Sequence, residues 1–345
     1  MQENYRYGQI DSLRGLAVLL MVMVHAAATW NPYREPQTSV LAYTTAGLGG
    51  LAAPLFVTIF GWGLTKSKST YNSLLKKALL LIILQIFVNL FSPHLFETFT
   101  PGVLSLFALL LLFKPTIMQA SESRKSITIF SIIMASLFVI NNYLYKFQGD
   151  PIWENRIEYL SAIDIISHLF FTGTYPLFPW IIFAVIGASL GRSVTEGEKT
   201  LPRNNTIGLL MILGIVYCAI TLVMAHNLNQ IWAHPTQGEF LNFFPANYGF
   251  MIAALTGVII LWYLIERYNI LLFSPSGKLS LSVYVLHFIP LTMLSDLDEQ
   301  NDWSLTESSQ AVAFYTTAWL FFTYFWINYF PRISVERLIR IITKQ

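Results

Sequence analysis

Three polar side chains lie on one face of an otherwise apolar N-terminal segment. Asp11, Arg14 and His25 flank the stretch 16–24, which contains no polar residue. In an α-helix the eleven steps from Arg14 to His25 make three turns plus about 20° and rise about 16 Å, so both side chains project in nearly the same direction. Asp11, three residues before Arg14, can pair with it. Such a face offers a guanidinium that can bind an anion and, deeper in, an imidazole that can accept a proton.

A second set of polar residues occupies the segment 276–287. Ser280, Tyr284 and His287 are spaced four and three residues apart, so they share one helical face. Lys278 precedes His287 by about 13 Å of helix rise, which again gives a cation at the start and an imidazole deeper in. A tyrosine or serine hydroxyl beside an imidazole could donate to an oxyanion. The predicted catalytic residues are His25, Asp11, His287 and Tyr284.

Each of these residues also has a purely structural interpretation. Asp11 can cap the N-terminus of its helix, and Arg14 can extend its guanidinium to the lipid headgroups. Ser280 and Tyr284 can hydrogen-bond to neighbouring helices. An imidazole within a membrane is costly, so His25 needs a hydrogen-bond partner whether or not it takes part in chemistry.

The composition predicts that these segments lie in a membrane. Of 345 residues, 54% are hydrophobic and only 12% are charged, half of what a soluble domain usually carries. This excludes a disordered chain, a basic nucleic-acid-binding protein and an ordinary cytosolic enzyme. The single cysteine, Cys218, excludes an intramolecular disulfide and a cysteine-based metal site, and we expect no bound metal.

We predict an all-α membrane bundle of about ten transmembrane helices that forms one domain over residues 1–345, since each span needs about 20 mostly apolar residues. The stretch 157–175 is apolar but interrupted by Asp164 and His168, and we interpret it as an interfacial or re-entrant segment. These two side chains share a helical face, as a solvated pair or as part of an outer site. The predicted spans are 10–30, 45–64, 74–92, 101–114, 127–146, 176–192, 206–226, 245–265, 278–295 and 311–330.

The distribution of charge predicts the orientation of the chain. With ten spans and a cytoplasmic N-terminus, 18 of the 21 basic residues fall on the inner side, and only Arg34, Lys146 and Arg156 fall elsewhere. The outer side receives 12 of the 19 acidic residues. Because basic residues accumulate in cytoplasmic loops, we expect both termini to be cytoplasmic.

Several motifs resemble those of a known family. They are IDSLRGLAVLLMVMVH at 10–25, APLFV at 53–57, FPW at 178–180, GR at 191–192 and GKLSLSVYVLH at 277–287. Together they are similar to the catalytic domain of heparan-alpha-glucosaminide N-acetyltransferase and its prokaryotic relatives. An arginine and a histidine separated by ten residues also resemble the pattern of the broader integral-membrane acyltransferases that modify cell-surface sugars.

The resemblance implies an enzyme that takes an acyl group, such as acetyl, from cytoplasmic acyl-CoA and passes it to a hydroxyl or amine of an extracytoplasmic sugar or glycan. Cations at the inner ends of spans would bind the phosphates of this co-substrate. The sequence departs from the lysosomal enzyme, which has an asparagine at the position of His25 and an active histidine in the luminal stretch after the first span. Here no histidine occurs between His25 and His94, so His25 is the expected catalytic histidine. The predicted donor-binding residues are Arg14, Arg192 and Lys278.

Two mechanisms and two other kinds of function stay open at this point. His25 could act as a general base or could itself carry the acyl group as an acyl-imidazole. A proton-coupled transporter or flippase of a lipid-linked or small substrate would also use histidines within spans, and a catalytically silent scaffold is a third possibility. We expect a multi-pass protein of a prokaryotic plasma membrane, in contact with the lipid bilayer, without nucleic-acid partners and able to form oligomers.

Overall fold

The chain folds almost entirely into helices. The computed structural model describes residues 7–31, 40–194, 199–202 and 204–343. Strands β1 and β2 pair in parallel and contain two residues each, Ala233–His234 and Leu241–Asn242. A π-helical turn covers His168–Thr172. The α-helices are α1 Gly8–Thr29, α2 Val40–Gly50, α3 Ala52–Lys66, α4 Tyr71–Leu90, α5 Val103–Leu112, α6 Lys114–Ala120, α7 Arg124–Tyr143, α8 Glu154–Ile157, α9 Ala162–Ser167, α10 Leu177–Arg192, α11 Asn205–Leu228, α12 Tyr248–Arg267, α13 Ser274–Lys278, α14 Ser280–Leu286, α15 Phe288–Met293, α16 Leu297–Gln300, α17 Leu305–Tyr329 and α18 Val335–Thr343.

The predicted all-α polytopic bundle is confirmed, with fewer clear spans than expected. By length and composition, seven helices within the described residues could cross a membrane, or up to nine if each of two bent pairs is one span. The bent pairs are α5 with α6, at 73°, and the segment Ala162–Thr172 with α10, at 44°. Helix α17, the predicted tenth span, is long enough but is not among the nine, because its many Tyr, Trp and Thr residues lower its hydropathy.

One expected straight span is broken, and the stretch that was expected to be interfacial or re-entrant is irregular. The ninth predicted span, 278–295, consists of the short helices α13, α14 and α15, with a non-helical Leu279 between the first two. The stretch 157–175, expected to be interfacial or re-entrant, holds α8's last residue, α9 and the π-helical turn, and it bends into α10. Irregular backbone of this kind is tolerated at membrane depth only where protein or water surrounds it.

Helix α1 lies at the centre of the bundle, where its neighbours approach closely. A Cβ atom added at Gly15 would collide with the carbonyl oxygen of Phe273, and one added at Gly277 would collide with that of Asp11. The two glycines therefore let the backbones of α1 and α13 touch, as small residues do between membrane helices. Most of α1 is buried, including Val18 and Val22 in the main hydrophobic core.

Arg156, one of the three basic residues predicted outside the inner face, is a structural residue. It is buried, and its guanidinium donates to the backbone carbonyls of Thr172, Gly173, Gln148 and Asp150 at 2.9–3.1 Å. Burial lowers the pKa of its guanidinium to about 10, since desolvation disfavours the charged form. Four carbonyl oxygens compensate for that burial, and the contact fixes the segment that leads into the bend before α10.

Candidate active site

Two buried imidazoles from distant parts of the sequence meet in the membrane. Nδ1 of His25 and Nε2 of His287 lie 2.8 Å apart, and the two rings are nearly parallel, at 10°. His287 is completely buried and His25 is 8% exposed. Phe288 and Phe96 surround the pair, with ring centroids 4.6 Å and 6.4 Å from that of His25. The two predicted catalytic histidines are therefore direct neighbours in a largely apolar environment.

The hydrogen bonds of His287 determine where the protons of the neutral pair lie. Nδ1 of His287 is 2.9 Å from the carbonyl oxygen of Val283, and a carbonyl can only accept, so this nitrogen carries the proton. Nε2 of the same neutral ring then carries a lone pair and accepts from Nδ1–H of His25. A neutral His25 protonated at Nδ1 has its own lone pair on Nε2. The pair thus fixes the tautomer in which Nε2 of His25 can accept a proton or attack a carbon.

Helices α17 and α18 hold His287 in place. His287 lies between α14 and α15, and its backbone carbonyl accepts a hydrogen bond from the hydroxyl of Tyr315 on α17. At the other end of α14, the carboxylate of Glu336 accepts from the backbone N–H groups of Leu281 and Ser282, at 2.7 Å and 3.1 Å, and from the Ser282 hydroxyl at 2.6 Å. The position of His287 therefore depends on residues from α17 and α18.

A cavity of about 1660 Å³ runs along α1 and reaches the histidine pair. Its lining on α1 extends from Arg14 through His25 to Ala28, which corresponds to about 21 Å of helix rise, and continues to Trp30 and Asn31 just after the helix. Tyr284 and Lys278 line it from the broken segment. Because the lining includes residues near both ends of α1, the cavity is not confined to the predicted outer side.

One end of the cavity carries most of its charged residues. Nη1 of Arg14 lies 3.4 Å from Oδ1 of Asp11, and Asp11 is 4% exposed. The cavity is also lined by Lys278, Glu336 and Arg340, the last two from the C-terminal helix α18. From the sequence, Arg340 was expected only to contribute to the inner charge bias, and no role was predicted for Glu336. Their spacing of four residues, which puts both on one helical face, was the available signal.

The other end of the cavity is aromatic. The indole of Trp30 donates to the carbonyl oxygen of Leu294 at 2.7 Å, which ties the end of α1 to α15. His94 also lines this end, with Nε2 at 3.1 Å from the hydroxyl oxygen of Thr29. The aromatic residues that line this end include Trp30, Phe96, Trp153, Tyr175, Trp232 and Phe243.

Tyr284 joins the histidine pair, whereas Arg192 and the outer pair lie apart from it. Tyr284 is buried, lines the cavity and has its ring centroid 6.1 Å from that of His287. The Arg192 guanidinium instead donates to the Ser121 hydroxyl at 3.3 Å and to the Met118 carbonyl at 3.0 Å. Arg192 is not among the cavity-lining residues of the described chain.

Asp164 and His168, the possible outer pair, line a separate pocket of about 390 Å³. Asp164 forms a capping box with Ser161 at the start of α9. His168 is buried, with Nδ1 at 2.7 Å from the Thr172 hydroxyl and Nε2 at 2.8 Å from the carbonyl oxygen of Glu158. Both side chains therefore have local structural partners in the interfacial segment.

The fold and the histidine pair define a polytopic helical membrane protein with a cavity that reaches buried imidazoles. The family model for the catalytic domain of heparan-alpha-glucosaminide N-acetyltransferase matches residues 6–224. The chain belongs to this family of membrane acetyltransferases and is an integral membrane protein. No curated protein matches the chain. The matched region contains Asp11, Arg14 and His25, whereas His287 and its supporting helices lie beyond it.

Proposed function

We propose that the protein transfers an acyl group, such as acetyl, from cytoplasmic acyl-CoA to a hydroxyl or amine of an extracytoplasmic sugar or glycan. The observation that carries this proposal is the His25–His287 pair at 2.8 Å, with Nε2 of His25 as its proton acceptor beside a cavity. Family membership supports the reaction class. The donor and the acceptor are inferred from the family resemblance together with the chemistry of the cavity, and the direction of transfer follows from the predicted orientation.

The charged end of the cavity suits the donor. Acyl-CoA carries several phosphate charges, and Arg14 and Lys278 both line this end. Arginine can contact a phosphate through two parallel hydrogen bonds. The pantetheine arm is comparable in length to the helix rise of about 16 Å between Arg14 and His25. A donor bound by its phosphates at this end can therefore place its thioester near Nε2 of His25.

The aromatic end of the cavity suits the acceptor. Sugar rings have apolar faces that pack against aromatic rings, and Trp30, Trp153 and Trp232 line this end. Under the predicted orientation this end faces the outside. An acceptor hydroxyl or amine that enters here meets the thioester at His25, close to the outer end of α1.

The transfer itself needs one proton acceptor. Nε2 of His25 removes the proton of the acceptor O–H or N–H as that atom bonds to the thioester carbon, and the carbon–sulfur bond then breaks. The resulting imidazolium returns the proton to the thiolate, so CoA leaves as a free thiol. Its Nδ1–H bond to His287 becomes charge-assisted in this state, and the Tyr284 hydroxyl can donate to the developing oxyanion. General base catalysis of this kind contributes about 10² to 10⁴ in rate.

The same geometry also permits a covalent route. Nε2 of His25 can attack the thioester carbon itself, which gives an acyl-imidazole and free CoA before the acceptor reacts. This route predicts a burst of thiol in the absence of acceptor and ping-pong kinetics. Direct transfer predicts thiol release only when both substrates are bound.

The test is acetyl-CoA binding and thiol release by the full chain in lipid nanodiscs, with a panel of amino sugars and simple glycosides as acceptors. We expect the wild type to bind acetyl-CoA and release thiol, and His25→Ala to lose at least about 100-fold in turnover. His226→Ala is the matched control, because His226 is exposed and lies away from the cavity lining of the described chain. Absence of acetyl-CoA binding by the wild type, or full turnover in His25→Ala, would overturn the proposal.

A transporter or flippase is the second candidate, because the cavity lining reaches both ends of α1. Such a protein would move a substrate across proteoliposomes without any acyl donor. Flux of a labelled sugar or lipid-linked sugar in the absence of acetyl-CoA, together with no thiol release, would favour it over the acyltransferase.

A further inference from the structure

The C-terminal helix α18 forms part of the wall at the charged end of the cavity. Glu336 and Arg340 are four residues apart and both line this end, together with Arg14 and Lys278. These four residues come from three separate regions of the sequence. Helix α18 follows α17 and lies beyond the region 6–224 that matches the family.

The charges at this end leave a positive balance. Arg14, Lys278 and Arg340 supply three cations, against two carboxylates: Glu336, the one acid among the cavity-lining residues of the described chain, and Asp11, which pairs with Arg14. Both oxygens of Glu336 already accept hydrogen bonds from α14. The carboxylate of Glu336 therefore interacts with backbone N–H and hydroxyl groups of α14. An anionic group that enters this end therefore meets an excess of basic side chains.

Glu336 also connects α18 to the histidine pair. Its carboxylate binds the first turn of α14 at Leu281 and Ser282, and the Ser282 hydroxyl in turn accepts from the backbone N–H of Val335 at 2.9 Å. Helix α14 then leads directly to His287. A shift of α18 is therefore transmitted through seven helical residues to the ring that fixes the tautomer of His25.

We propose that α18 is part of the donor site and has two separable roles. Arg340 binds a phosphate of the acyl-CoA donor, and Glu336 is a positioning residue that holds α14, and so His287, in place. This inference rests on the proposed acyltransferase function. It predicts that one side chain controls the affinity for the donor and the other controls turnover, although the two lie one helical turn apart.

The experiment compares three single variants of the full chain in nanodiscs. Arg340→Ala weakens acetyl-CoA binding by about 10-fold, because it removes a charge-assisted contact, and leaves kcat within about 2-fold. Glu336→Ala lowers kcat by about 10-fold or more and leaves the acetyl-CoA Kd within about 2-fold. Arg337→Ala, on the same helix but outside the cavity lining of the described chain, is the control and changes neither quantity.

A second donor separates phosphate binding from misfolding. S-acetylpantetheine carries the thioester and the arm without the nucleotide, so Arg340→Ala should use it as well as the wild type does. Glu336→Ala should be slow with both donors, and Arg340→Lys should regain part of the acetyl-CoA affinity. Melting temperatures of all variants in nanodiscs show whether a loss of activity reflects unfolding.

The outcomes distinguish this inference from the proposed function. If the wild type binds no acetyl-CoA, the proposed function itself is wrong. If the wild type binds acetyl-CoA but Arg340→Ala binds it as tightly as Arg337→Ala does, the role of Arg340 is wrong. If folded Glu336→Ala keeps the wild-type kcat, the positioning role is wrong.

Discussion

Replacement of His287 tests the tautomer argument directly. His287→Leu removes the acceptor for Nδ1–H of His25, and this buried donor is left without the 2.8 Å bond. An unsatisfied buried donor costs about 1–3 kcal/mol. The ring of His25 can avoid that cost by moving its proton to Nε2, which removes the lone pair that accepts the substrate proton. Both effects reduce the fraction of protein in which His25 can act as a base.

The expected magnitude follows from these two effects. A penalty of 1–3 kcal/mol corresponds to about 5- to 150-fold in rate, since about 1.4 kcal/mol is a factor of ten. The loss cannot exceed the 10² to 10⁴ that such a base contributes. We therefore expect kcat of His287→Leu to fall by about 100-fold. The Kd for acetyl-CoA should stay within about 2-fold, because His287 is completely buried behind the cavity-lining His25.

His287→Gln provides the matched comparison. The side-chain oxygen of glutamine can accept from Nδ1–H of His25, so it retains the required tautomer without a second imidazole. We expect its kcat to lie within about 10-fold of the wild type and well above that of His287→Leu. The assay is thiol release from acetyl-CoA in nanodiscs, with the acceptor that gives the highest wild-type rate. The reasoning is refuted if a folded His287→Leu protein keeps the wild-type kcat, or if the glutamine variant is as slow as the leucine variant.

Three further predictions concern other parts of the site. Gly277→Ala forces a Cβ atom against the carbonyl oxygen of Asp11, so the melting temperature should fall by the amount that overpacking of about 1–3 kcal/mol produces. Gly208→Ala is the control, because a Cβ atom there meets open space and should not lower the melting temperature. An unchanged melting temperature in Gly277→Ala would contradict the close contact between α1 and α13. Arg192→Ala should lower the melting temperature, because it removes hydrogen bonds to Met118 and Ser121 at the end of α6, and should leave the acetyl-CoA Kd within about 2-fold. A large rise in Kd would instead show that Arg192 binds the donor. Desolvation lowers the pKa of His94, against a raising effect of Asp296, so the folded state favours the neutral ring and its stability falls as the pH drops below the unfolded value of about 6.5. The melting temperature of the wild type should therefore fall more between pH 7.5 and 5.5 than that of His94→Gln, and equal decreases would refute this.

The sequence predicted which side chains share a face of α1, but it did not predict which helices pack against that face. The period of 3.6 residues placed Arg14 and His25 on one face of α1, and the structure has both in the cavity lining. The spacing also places each imidazole about 13–16 Å of helix rise beyond a cation, but it predicts no contact between His25 and His287. Their contact joins residues 262 positions apart, and only the packing of whole helices, through glycines such as Gly277, decides that it forms.

The broken ninth span shows why the rest of the site was missed. A continuous helix over 278–295 was expected, and it would have made the faces of Lys278 and His287 predictable. The chain instead leaves the helix at Leu279, and α14 begins anew with Glu336 as an external acceptor for its first N–H groups. The first N–H groups of a helix are usually satisfied by a capping side chain next to it in sequence, whereas here the acceptor is a carboxylate at least 54 residues away. Hydropathy and local spacing contain no information about such a partner.

The depth of His25 in α1 has a consequence for the two substrates. His25 is four residues from Thr29, the last residue of α1, and eleven from Arg14, so it lies about 6 Å from one end and about 16 Å from the charged rim. Under the proposed orientation, the donor must therefore cross most of the membrane thickness, which its flexible arm can do. The acceptor needs to insert only its reacting group past the aromatic rim. This asymmetry favours an acceptor that stays largely outside, as a polar sugar would, because burial of its many hydroxyl groups in an apolar cavity would be costly.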